Sequence, residues 1–511
     1  MVSAFRKYNW QFLILFSACI VLSLVTGCNH VSLPQSYTKV DAYPHIYPDY
    51  VNVTVPVNIA PLCFEMDDAC EEMVARMYCG EQEILCGGEN VQPDAEKWSS
   101  LLSEAVGKDV TVEVFAREKG EWKGFKPFVI SVSADSIDPY ISYRLISPSY
   151  VGYEDLTINQ RCLENFKEKV IYDNMLCSTA NDGQCINCHH YQNYNPERMQ
   201  FHARQNYGGT VISYDGNITK RNLRNDSILS AGVYPAWHPW LDLIVYSTNL
   251  TGQVFHTRDL NKIEVFDSGS DLIAYDIKHN EITNIQNEDT QLEVFPAWAP
   301  DGKTLYYCSA HIVYNDSNDR ALQTIHQAKQ LKYCLYKKSF DLDTWQFGPP
   351  QMVFNADSID KSATLPRISP DGRFLMFTLG SYGCFHIWHR DADLWLMDLQ
   401  SGVTQPLETV NSDNTESYHS WSSNGRWMVF SSRRDDGGFT RPFIAHINTD
   451  GKATKPFELP QQDPDRHRQM LWSYNIPEFM KGPVKTSPQT FAKVLRSESM
   501  QPAKYVGRLS K

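Results

Sequence analysis

Apolar and polar positions alternate with a period of two along much of this chain, the mark of half-buried strands. Val51, Val53, Val55 and Val57 alternate with polar or turn residues, and Val110, Val112 and Val114 do so again before Phe115. Phe128-Val129-Ile130-Ser131-Val132 follows after Gly120 and Gly124, a hairpin signal. These runs predict a small β-sandwich-like domain over residues 45–136. From Tyr153 to Met175 the period lengthens. Leu156, Ile158, Cys162, Phe166 and Val170 stand at roughly helical spacing and predict a helix. Asn195 and Pro196 suit the N-cap and first position of a short second helix through Arg204.

Beyond about residue 226 a strand–turn–strand unit recurs. Tyr234-Pro235-Ala236-Trp237 precedes Ile244-Val245-Tyr246, and Phe295-Pro296-Ala297-Trp298 precedes Leu305-Tyr306-Tyr307. Leu365-Pro366-Arg367-Ile368 precedes Phe374-Leu375-Met376, and Tyr418-His419-Ser420-Trp421 precedes Trp427-Met428-Val429. In the last three copies Asp-Gly or Asn-Gly closes the turn, supplying the positive backbone angles a tight hairpin needs. The first copy has Trp240-Leu241-Asp242 there instead. Thr210-Val211-Ile212-Ser213-Tyr214 reads as a half-unit ahead of them. Over roughly residues 205–480 this set resembles the β-propeller of the translocation protein TolB and its WD-repeat-like relatives. The resemblance implies a mainly β fold with a propeller of five or six blades, which is a general binding platform.

The first residues address the chain. Arg6 and Lys7 precede a mostly apolar run from Phe12 to Val25, too short to span a bilayer but suited to an export signal. Val25-Thr26-Gly27-Cys28 resembles the bacterial lipobox, which implies cleavage after residue 27 and lipidation of Cys28. Asn29-His30-Val31-Ser32-Leu33 lacks the acidic cluster that favours surface display in the Bacteroidetes-like lipoproteins this start resembles, so a periplasm-facing anchor in the cell envelope is expected. A formal net charge of -13 argues against nucleic-acid partners.

The chain has 13 cysteines. Cys63, Cys70, Cys79 and Cys86 lack the tight spacing of a zinc site, and in an oxidising compartment they read as two disulfides, with buried thiols as the alternative. Cys185-Ile186-Asn187-Cys188-His189 is the c-type haem attachment sequence. Two thiols add to the vinyl groups along one porphyrin edge, and the next residue's imidazole binds iron. One covalent haem c is therefore expected, with His189 as proximal ligand. Met199 is the leading distal candidate, ahead of His202 one turn away, of a distant His such as His238 or His256, and of an open site.

A second constellation joins His389, Asp391, Asp393, His419, Arg433 and Arg434, read either as a ligand cluster or as a salt-bridge lattice. No serine-protease order, phosphate loop or His-Glu-x-x-His sequence accompanies it. The whole chain resembles a group of bacterial lipoproteins that fuse a mono-haem cytochrome c segment to a TolB-like propeller. On that reading residues 1–27 are the signal, 28–44 a linker, 45–136 the β domain and 137–225 a partly helical haem segment. Residues 226–480 are then the propeller and 481–511 a tail. The function expected is single-electron transfer with the propeller docking a redox partner. The alternatives are an envelope scaffold with a structural or sensory haem, and a haem-dependent oxidoreductase.

Overall fold

The computed structural model describes residues 31–147, 155–178, 184–497 and 500–509. The export signal and Cys28 lie outside the described residues.

The N-terminal unit is one mixed sheet with a helix on it. Strands Glu72–Cys79 and Asp109–Glu118 run antiparallel at its centre, flanked by Gln82–Gly88, Glu121–Gly124 and Phe128–Ser133. The helix Ala95–Glu104 replaces the second layer that a sandwich would have. Asp94 caps it by accepting from the backbone N–H groups of Glu96 and Lys97, and Trp98, Leu101 and Leu102 face the core. Cys63, Cys70, Cys79 and Cys86 are free thiols, so the two expected disulfides are not formed here.

Among the described residues the remainder forms six antiparallel runs of strands, two of which are joined into one ten-stranded sheet, while Gln501–Pro502 and Lys504–Tyr505 add parallel edge strands to two of them. The first run has Ser473–Met480 innermost, followed outward by Tyr140–Ile146, Thr157–Cys162 and Glu168–Asp173. The second runs from Gln184–Tyr191 through Met199–Gln205 and Gly209–Tyr214 to Asn217–Asn222. The innermost strands of the other four are Gly232–Trp237, Gln291–Trp298, Ser362–Ile368 and Glu416–Trp421. Neighbouring innermost strands touch in chain order, and Ser473–Met480 touches both Glu416–Trp421 and Gln184–Tyr191, which closes a ring. The fold is mainly β, and the ring is a β-propeller arrangement. One C-terminal strand and three strands from the front of the ring make up its closing sheet.

Two expectations are corrected. The described residues 155–175 contain the strands Thr157–Cys162 and Glu168–Asp173 in place of the expected helix. Residues 195–204 contain the strand Met199–Gln205, not a helix. The described residues of segment 137–225 are mainly strands and supply most of two of these sheets. The physical reason is tertiary: Ile158, Ile171, Tyr172 and Phe201 fill one core between these sheets, and continuous burial along Thr157–Cys162 and the start of Met199–Gln205 blurs the period of two.

Candidate functional site

Each innermost strand carries the same irregularity. Cys188, Tyr234, Phe295, Leu365, Tyr418 and Ile476 all have left-handed backbone angles, with φ between 46° and 56°. A register shift accompanies each one, so six bulges ring the axis. Left-handed angles strain β-branched and bulky residues, and their sixfold recurrence shows that the ring imposes them.

These bulges build the axial cavity in layers. The six left-handed residues line a small cavity of about 40 Å³, room for a few water molecules. Two positions later come His190, Ala236, Ala297, Arg367, Ser420 and Glu478, and three positions later Tyr191, Trp237, Trp298, Ile368, Trp421 and Phe479. Both sets line a chamber of about 490 Å³ that adjoins the small cavity. Trp240, about half exposed, and Tyr194 extend its wall.

The chamber's charges are mutually placed. His190 Nδ1 lies 2.9 Å from Glu478 Oε1, and the Arg367 guanidinium lies 3.7 Å from the same oxygen. Burial alone would raise the Glu478 carboxyl, but facing His190, then His189 and Arg367, hold it below the usual carboxylate range. Asn193 and Tyr194 at the rim are consecutive residues with φ of 47° and 65°. Gln192 braces that turn by donating to the carbonyls of His238 and Leu241, and Lys481 N–H donates to the Tyr194 carbonyl.

The haem-attachment sequence lies on this framework. Cys188-His189-His190-Tyr191 occupies the same strand positions as Tyr234-Pro235-Ala236-Trp237. His189 is buried, neither ring nitrogen makes a hydrogen bond of good geometry although the Ile476 backbone approaches the ring, and burial pushes its pKa down to about 4. Cys188 lines the small cavity, whereas Cys185 packs against the cluster containing Ile186, Tyr191 and Phe201. The bulge at Cys188, with its register shift between Asn187 and His190, separates the surroundings of the two thiols. The cavity that His189 lines, about 40 Å³, leaves no room for a macrocycle. The residues do not fit a haem in this conformation, although such an imidazole is the kind of group a ligand would satisfy.

The other candidate ligands are engaged elsewhere. Met199 is buried in the core with Phe201 and Phe491, and His202 Nδ1 pairs with the Thr210 hydroxyl at 3.2 Å. His238 Nδ1 accepts from the N–H groups of Trp240 and Leu241, and Nε2 lies 2.9 Å from the Gly302 carbonyl. That ring does the work of the missing Asn-Gly turn in its repeat. His256 Nε2 is buried without a partner, but the residue does not line the cavity.

The six residues of the propeller constellation are engaged in separate pairs and contacts. His389 Nε2 contacts Glu264 at 3.2 Å, with Tyr382 donating to the same carboxylate at 2.9 Å. Asp391 accepts from Ser381 N–H at 2.9 Å. Arg434 pairs with Glu416 at 3.1 Å, while burial and then Glu416 raise Asp393 to about 6. Arg433 stacks 4.5 Å over Trp388, and His419 Nε2–H donates to the Met376 carbonyl at 3.2 Å. None of the six lines the axial cavity. The described residues hold no group of three or more His, Cys, Asp or Glu placed to bind a metal, and no helix among them is long and apolar enough to cross a membrane.

No protein-family model matches the chain, and no curated protein matches it. Among solved structures, a puromycin-hydrolysing peptidase of Mycobacterium tuberculosis is 11% identical over 80% of this chain, with a TM-score of 0.33. This chain spans only 57% of that peptidase. The β-propeller domain of the trilobed protease from Pyrococcus furiosus is 13% identical, covers 70% of this chain and 96% of its own, and has a TM-score of 0.32. A DUF4784 family protein from Bacteroides caccae is 11% identical over 82% of this chain and 97% of its own, at a TM-score of 0.28.

Proposed function

We propose that this chain is a lipid-anchored protein of the bacterial envelope whose six-bladed propeller binds a small ligand in its axial chamber. One observation carries the reading. Two complete rings of repeat positions enclose about 490 Å³, within the usual size of small-molecule sites, and place three charged or titratable side chains among aromatic walls. Blade packing alone requires neither the Arg367–Glu478–His190 group nor the strained Asn193-Tyr194 rim. Screening the purified protein against a small-molecule library by thermal shift tests this. Hits should lose their effect when Ala297→Trp fills the chamber, and hits indifferent to that change would overturn the reading. The anchor is tested separately, since labelled palmitate should enter the wild type and not Cys28→Ser.

The second reading is covalent haem on Cys185 and Cys188, with electron transfer as the activity. What favours it is His189, a buried imidazole whose nitrogens make no hydrogen bond of good geometry. It requires the innermost strand to open. Haem stain that persists on the denatured polypeptide, and is lost in a Cys185→Ala/Cys188→Ala variant, decides for it. An unstained wild type, purified from cells that mature c-type cytochromes, decides against it.

A further inference from the structure

We infer that the ligand of the axial chamber is a small organic carboxylate with a flat apolar body, an inference that rests on the ligand-binding reading above. The argument starts from hydrogen-bond capacity. Arg367 carries five guanidinium N–H donors, yet among the described residues it makes no hydrogen bond through them and only one ion-pair contact, to Glu478 at 3.7 Å. Glu478 is more closely engaged by His190, at 2.9 Å and 3.2 Å. Arg367 is therefore left with the weaker share of a divided carboxylate, in a chamber that partly shields it from water.

A planar fork of donors is complementary to a second carboxylate, which it binds through two parallel hydrogen bonds. Trp237, Trp298 and Trp421 line the same chamber with apolar surface: the Trp237 Nε1–H is enclosed within the protein, and the other two donate to the carbonyls of Ala236 and Arg367. Apolar walls around a few convergent donors suit a ring-bearing acid. A second, smaller cavity of about 40 Å³ shares His190, Arg367 and Glu478 with the chamber, so the charged group lies where the two meet.

Three probes with one body separate the possibilities: indole-3-acetate, indole-3-acetamide and tryptamine, titrated calorimetrically into the purified protein. The acetate should bind most tightly, and Arg367→Gln should weaken it by about tenfold or more, the usual worth of a charge-assisted pair, to the level of the amide. Arg367→Lys should fall between, and melting curves should show that both variants remain folded. Amide or tryptamine binding as tight as the acetate, or acetate binding unchanged in Arg367→Gln, overturns the carboxylate while leaving the chamber a binding site. Silence from all three probes also overturns this inference. The broader reading is judged separately, by the library screen and the filled-chamber variant.

Discussion

His189 is the most unusual single residue in the ring. A buried imidazole without a hydrogen bond of good geometry costs about 1–3 kcal/mol of unmet hydrogen bonding, which an apolar side chain would not incur. Its pKa of about 4 adds a pH dependence. Between about pH 6.5 and 4 the unfolded chain binds a proton on this residue and the folded chain does not, so its effect is to lower stability progressively as pH falls through that window. His189→Leu is accordingly expected to raise the melting temperature at pH 7, and to raise it further at pH 5. A lowered melting temperature at both pH values would show that the imidazole has a partner in solution, the result that covalent haem also predicts.

At the scale of the element, the hairpin units were the most legible part of the chain. Gly302, Gly372 and Gly425 take φ of 59°, 76° and 67° at the turns where Asp-Gly or Asn-Gly was read. The repeat also held the site. Position two after each bulge supplies the chamber's inner ring, but in Pro-Ala-Trp copies that position is a silent alanine. Only comparison with Arg367 and Glu478 gives it meaning, and Glu478 reaches the ring from the far end of the chain. The helix predictions failed because continuous burial along Thr157–Cys162 and the start of Met199–Gln205 hides the alternation, and because Asn195-Pro196 marks a turn as readily as a helix start. A Cβ at Gly372 has its nearest contact at 3.6 Å, so Gly372→Ala meets backbone strain rather than a clash. It is expected to cost about 1 kcal/mol in chemical denaturation, and Gly372→Asn less, since asparagine tolerates left-handed angles. Equal losses from the two would point to packing instead.

The whole molecule is joined across its N-terminal unit and its sixth run of strands. Trp427, Val429, Ile444 and Phe457 belong to the same core as Phe64, Trp98 and Phe128. Polar contacts pin the junction: Asp138 accepts from Ser423 N–H and Oγ–H at 2.6 Å each, and Trp427 Nε1–H donates to the Asp135 carbonyl at 3.1 Å. Close by, Glu458 is fully enclosed with His467 and Tyr47. Burial raises Glu458 to about 8, against the lowering pull of Arg441 and Tyr47. From about pH 4.3 to 8 the folded state thus holds a proton that the unfolded chain releases. The sign follows: this group's contribution is fully present below about pH 4.3, is lost as pH rises to about 8, and changes no further beyond that. Glu458→Gln keeps the neutral shape and removes the titration, so its stability relative to wild type should rise steadily between pH 5 and 8. Because one core spans the junction, that gain should appear in a single unfolding transition reported alike by tryptophan fluorescence and far-ultraviolet dichroism. Two transitions, with only one responding to the substitution, would show that the N-terminal unit and the ring unfold independently.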